Sequence, residues 1–221
     1  MRDSHPDRFA QDPGRGAPAD VGEKDTGRVE AFSDGVFAIA ITLLVLELHV
    51  PQRAAGVPLA AALAGQWPSY LAFLTSFATI GIMWINHHRM FSLIQRSDHT
   101  LLVLNGLLLL AVTAVPFPTG LVAAYLPYRD ARIAVMVYCG TFTAIAVFFN
   151  VLWRYASSGH RLLDPRIDGR AASAITRAYA FGPALYFASF CLAALSVAAA
   201  LALTVALATF FALPPPREPT A

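Results

Sequence analysis

Charged residues are scarce in this chain. Only 14% of its 221 residues are Asp, Glu, Lys or Arg, while 57% are hydrophobic; an average soluble domain carries about 25% charged residues. That shortage excludes a water-facing surface over most of the length and puts the bulk of the chain in lipid. Cysteine is limited to Cys139 and Cys191, each inside an apolar run. Both read as small buried hydrophobes, and neither a disulfide framework nor a zinc site is expected. A net charge of +2 leaves no basic footprint for nucleic acid. Residues 1–27 hold Asp, Pro, Gly and Arg where the apolar core of a signal peptide would stand, so they are expected to form a disordered tail. Nucleophile–base pairs, glycine-rich phosphate loops and paired intramembrane carboxylates are also missing. Neither an enzyme nor a cofactor is expected.

What the chain has is long apolar runs. They predict an all-α, polytopic membrane domain over 28–213 with six transmembrane helices at about 29–49, 67–85, 101–126, 131–153, 178–195 and 198–213, and a short tail at 214–221. Trp67 and Tyr70 at one end of the second run and Trp84 at the other match the aromatic belts of the two interfaces. Proline removes backbone donors, so Pro116 and Pro118 are expected to kink the third helix at 116–118. In the fourth, Asn150 is the only strongly polar interior residue. Residues 178–213 are 36 positions without a charge; as one helix they would reach ~54 Å, too long for a ~30 Å hydrocarbon core. Two spans fit better. With six spans, thirteen basic residues fall on one side and three on the other, which makes the first side, and both termini, cytoplasmic. The expected location is the inner or plasma membrane.

The segment 28–48, RVEAFSDGVFAIAITLLVLEL, places an acid, Asp34, inside the leading edge of a span. A charge at mid-bilayer costs roughly 2.5–3.5 kcal/mol on insertion scales, so it needs partners or water. Ile39, Leu43, Leu46 and Val50 follow helical spacing and form one narrow stripe. At about 100° per residue, Asp34 points about 140° away from it. One reading of Asp34, Ser33 and Arg28 is an ion-binding or proton-relay site. The other is a latch that orients the helix, with Arg28 and Ser33 as donors and a His or Asn from the second and third spans joining them. The geometry favours the latch. For the stripe, periodicity alone points to a lipid-facing or core surface.

Arg28 with Phe32, Ser33 and Asp34 reproduces an R-x-x-x-F-S-D signature, and the run through FSDGVFAIAITLLVLEL resembles the first helix of the transmembrane protein 175 potassium channels in their bacterial single-repeat form. WINHHRMF at 84–91, LNGLLLLAVTAVPFPT at 104–119 and GPALY at 182–186 fit as well. The resemblance covers about 28–213. It implies a homotetramer around a central pore lined by helix 1, with Ile39, Leu43 and Leu46 as hydrophobic constrictions and Ile39 the narrowest. It also implies that Thr42 influences potassium selectivity, and that Arg28, Phe32, Ser33 and Asp34 belong to an intrasubunit network. Rings of branched apolar side chains gate by dewetting. With no TVGYG-like filter, K⁺ is expected to permeate with moderate selectivity as a leak-like current.

His87 and His88 invite a metal assignment. Neighbours on a helix diverge by about 100°, however, and no Cys or carboxylate has ligand spacing. One of the two is expected to join the Asp34 network, with Trp84 and Asn86 nearby. Asn105 reads as an interhelical hydrogen-bonding amide. Glu47 and His49 lie at the outer end of helix 1, either simply solvated or bordering a cation-attracting vestibule. The rival classes are a secondary ion or proton transporter and a non-conducting membrane scaffold.

Overall fold

In lipid, backbone N–H and C=O groups find partners only within the chain, and long uninterrupted apolar runs therefore fold as helices. The computed structural model describes residues 23–52, 56–160, 162–167 and 169–212. These form α1 (Glu23–Leu43), which tightens into a 3₁₀ turn at Leu44–Glu47, then α2 (Leu59–Gly65), α3 (Trp67–Phe91), α4 (His99–Thr113), α5 (Pro116–Tyr125), α6 (Ala131–Ser157), α7 (Gly169–Ala193) and α8 (Val197–Ala212). Among the described residues no strand forms beyond one isolated bridge, Ile94 with Leu163. Among the described residues four helical stretches are long and apolar enough to cross a membrane: Thr26–Glu47, Trp67–Phe91, His99–Tyr125 and Ala131–Ser157. α6 and α7 make the most extensive helix pair. α1 lies against α3 and α4.

Several boundaries differ from the sequence expectation. Residues 23–27, assigned there to the disordered tail, are helical and open α1; residues 1–22 and 213–221 lie outside the described set. The 3₁₀ turn that follows α1 ends at Glu47, because Leu48 turns extended and its N–H caps back to Val45 O. α3 continues six residues past the expected end. α7 starts nine residues earlier than expected, at Gly169. A short helix, α2, occupies part of the supposed loop at 51–66. The kink expected at 116–118 is a break just before Pro116, and prolines open α5 because its first turn needs no intrahelical donor.

Each break leaves polar groups that the fold satisfies. Pro183 inside α7 has no N–H, so the carbonyl of Tyr179 four residues earlier lacks its helical donor. Asn150 Nδ2 of α6 donates to that carbonyl at 2.9 Å. Ser196 stands just before α8, its hydroxyl accepting from Ala199 N at 3.3 Å, a side-chain cap that ends the hairpin turn without glycine or proline. Where α3, α5 and α6 meet, Thr119 donates to Val115 O, which leaves its oxygen to accept from Ser76, and Ser76 in turn accepts from Tyr138. At the other end, Thr26 of α1 donates to Gln95 O, and Gln95 N donates to Leu162 O. Asp98 caps α4 at Leu101 N and accepts from Tyr155 at 2.6 Å. In the same loop layer the Arg166 guanidinium holds the Asp164 carboxyl below the usual carboxylate range.

Asn150→Leu is expected to destabilise the protein by about 1 kcal/mol, because it orphans a partly buried carbonyl. Pro183→Ala supplies the missing N–H, so the same substitution should cost little in that background. Unfolding in detergent of the four-member cycle checks this; equal losses in both backgrounds would remove the assignment.

Candidate functional site

α1 is amphipathic in an unusual sense: one face is polar-bonded and buried, and the opposite face is apolar and bare. Ser33, Phe37, Ala40 and Leu44 are all fully buried, at i, i+4, i+7 and i+11. Ile39, Leu43 and Leu46 on the other side are 59%, 40% and 65% exposed.

The buried face is fixed by hydrogen bonds whose direction can be read off in sequence. Ser33 Oγ donates to Val29 O at 2.8 Å, so its oxygen must accept, and Asn105 Nδ2 of α4 donates to it at 3.0 Å. The amide oxygen of Asn105 then faces Nε2 of His87 on α3 at 2.9 Å. The proton therefore resides on Nε2, and the assignment follows from the network. Nδ1 is left bare, buried and without a hydrogen-bond partner. The imidazole is clamped between the ring of Phe91, stacked at 4.4 Å, and that of Phe37 at 5.3 Å.

A second, outer pair of rungs joins α1 to α3. Trp84 Nε1 donates to Asp34 Oδ1 at 2.8 Å, and His88 Nδ1 meets Glu30 Oε1 at 2.7 Å. Glu30 and Asp34 are four apart on α1, as are Trp84 and His88 on α3, so the matching periodicity lets both rungs close at once. The Trp84 and His88 rings stack at 6.3 Å.

The expected network is thus divided. Ser33 and His87 meet through Asn105 in the core, while Asp34 and Trp84 meet at the rim with Glu30 and His88. Arg28 is exposed and bonds to none of them among the described residues; six residues before Asp34, it points about 120° away on the helix. Phe32 is 67% exposed and, seven residues before Ile39, belongs to the bare stripe instead. The backbone carbonyl of Asn86 accepts from Tyr179 OH at 3.4 Å. Thr42 is exposed beside the stripe, and its hydroxyl donates to Ile39 O at 2.9 Å. Glu30 was absent from the expected set; its i, i+4 relation to Asp34 is the signal that could have found it. Among the described residues no group of three His, Cys, Asp or Glu is placed to hold a metal.

An all-helical membrane protein whose first span is latched along one face and bare along the other defines the class. Comparison with known proteins narrows it. Residues 28–116 match the family model for the endosomal/lysosomal potassium channel TMEM175. A potassium channel of Chamaesiphon minutus is 54% identical over 86% of this chain and 95% of its own length, and one of Streptomyces collinus is 48% identical over 72% and 77%. The human endosomal/lysosomal proton channel TMEM175 is 35% identical over 58% of this chain, which spans 27% of that protein. The crystal structure of a lysosomal potassium-selective channel TMEM175 homologue from Chamaesiphon minutus superposes with a TM-score of 0.79 at 52% identity, covering 86% of this chain and 97% of that one. The chain belongs to the TMEM175 family.

Asn105→Leu should destabilise the protein by about 1–3 kcal/mol, since it strands His87 Nε2–H and the Ser33 oxygen in the core. With His87→Phe already in place, the loss should shrink. Additive losses in a double-mutant cycle followed by unfolding would refute the shared network.

Proposed function

We propose that this chain is the subunit of a homotetrameric, K⁺-permeable channel whose pore is lined by the bare stripe of α1. The observation that carries the reading is that one run of apolar side chains is left uncovered on the helix that carries the family signature, while the opposite face is tied to α3 and α4. Four such stripes around an axis make rings at Ile39, Leu43 and Leu46, and rings of branched side chains pass ions only when wetted. Thr42 lies beside them, its hydroxyl proton committed to Ile39 O and its remaining oxygen lone pairs free to face a cation. We assign it the selectivity role. In this reading α7 and α8 are the fifth and sixth spans, both termini are cytoplasmic, and the protein resides in the plasma or inner membrane. K⁺ is the permeant species, as in the names of the Chamaesiphon and Streptomyces relatives. Proton permeation is the second reading, favoured by the name of the human relative.

Ile39→Asn should wet the narrowest ring and raise K⁺ flux into liposomes on the order of tenfold, the ratio given by ~1.4 kcal/mol off the barrier. Equal flux for wild type and variant would remove α1 from the pore. Thr42→Val, isosteric but without the hydroxyl, should move the reversal potential under K⁺/Na⁺ gradients toward that of a non-selective cation pore, whereas Thr42→Ser should not. A Val variant with unchanged reversal potential would discard the selectivity role.

A further inference from the structure

The 3₁₀ turn that ends α1 carries an acid that the latch does not use. Glu47 follows Leu46, the last residue of the bare stripe, yet it is only half-buried where Leu46 is exposed. The tighter winding of the 3₁₀ turn rotates it away from the Leu46 direction and toward α5. There its carboxylate rests on Gly120. A Cβ at Gly120 would lie 2.9 Å from the Glu47 carboxyl carbon and overlap Oε2 outright, so a side chain here would displace the flexible end of Glu47 from its seat. Among the described residues no cation pairs with the Glu47 carboxylate, and the polar contact near it is His49 Nδ1 donating to the Glu47 backbone oxygen at 3.2 Å. The seat is built on the proline-opened helix next to the 3₁₀ turn, so the carboxylate lies against α5 and off the stripe.

We propose that Glu47 is a conduction-determining charge beside the outer end of the pore and that Gly120 is the residue that positions it. This rests on the assignment of α1 to the pore. Four copies would present four unpaired carboxylates around the outer mouth, where a fixed negative potential raises the local concentration of a permeant monovalent cation. Such an effect has a signature that mere structural support lacks: it is large when the Debye length is long, about 30 Å at 0.01 M salt, and vanishes when it shrinks to about 3 Å at 1 M.

The test is single-channel recording of the purified full-length protein in planar bilayers, with K⁺ as the only cation, at low and high concentration. Glu47→Gln should lower the current about two- to threefold at 0.01 M, where screening is weak, and leave it unchanged at 1 M. Glu47→Asp, which keeps the charge, should retain most of the low-salt current. Gly120→Ala should change the low-salt current while Glu47 is present and have no further effect in the Glu47→Gln background, because it acts through the displaced carboxylate. A Glu47→Gln current that matches wild type at both concentrations, or falls by the same factor at both, overturns the proposal. So does a Gly120→Ala effect that persists without the acid. Failure of the underlying pore assignment is separate: it would appear as Ile39→Asn leaving the current untouched, whatever Glu47 does.

Discussion

The orientation of α1 depends on one buried amide. Asn105 gives a proton to Ser33 and takes one from His87 at the same time, and it thereby fixes α1 and α3 against α4. Everything else about the first helix follows from that rotation. With Ser33 turned inward, Phe37, Ala40 and Leu44 are carried into the core by the helical repeat, and Phe32, Ile39, Leu43 and Leu46 are carried out of it. The outer rungs from Asp34 and Glu30 to Trp84 and His88 add a second line of contact on the flank, so the helix cannot rotate about the amide as a pivot.

The same constraint recurs through the bundle: inside lipid a polar group is met by protein or not at all. The carbonyl released by Pro183 is taken by Asn150, and the hydroxyls of Tyr138, Ser76 and Thr119 run in one direction to Val115 O. These bonds join helices distant in sequence, α3 with α5 and α6, and α6 with α7. Prolines and polar residues in the spans are therefore paired features of one design. His87 Nδ1 is the exception among the described residues, and it is enclosed by aromatic rings that offer it no donor.

Much of this was legible in the sequence. Apolar runs of spanning length located the helices, and the R-x-x-x-F-S-D pattern drew attention to the first of them. The stripe of Ile39, Leu43 and Leu46 followed from spacing alone. What sequence left open was pairing. Asp34 was expected to draw on Arg28, but angular separation along one helix keeps them apart; its donor is Trp84, fifty residues away, which the sequence placed near the network as well as in the interfacial belt without pairing it to the acid. Phe32 was read with the polar motif around it, although its helical phase places it on the stripe. α2 was missed because seven residues of small apolar character between spans carry no periodic signal. The true start of α1 was missed because its first turn is polar and resembled the tail before it.

Exposure of the stripe must be weighed against the solvent that surrounds it. In water each bare Ile or Leu would cost roughly 1.5–3 kcal/mol, and the stripe alone would demand a partner. Acyl chains are as apolar as leucine, so in a membrane that cost disappears and exposure does not by itself distinguish lipid from pore. The hydroxyl of Thr42 does not distinguish them either, because Thr113 and Thr141 make the same intrahelical bond on other faces. What separates α1 from the other spans is the conjunction. A polar latch fixes its rotation to one value, the bare side chains then align on a single line, and Thr42 falls within about 40° of Leu46 on that line, one turn away along the axis. In the reading proposed above that fixed rotation has a use, because a helix facing a shared axis has to present the same few side chains in every copy.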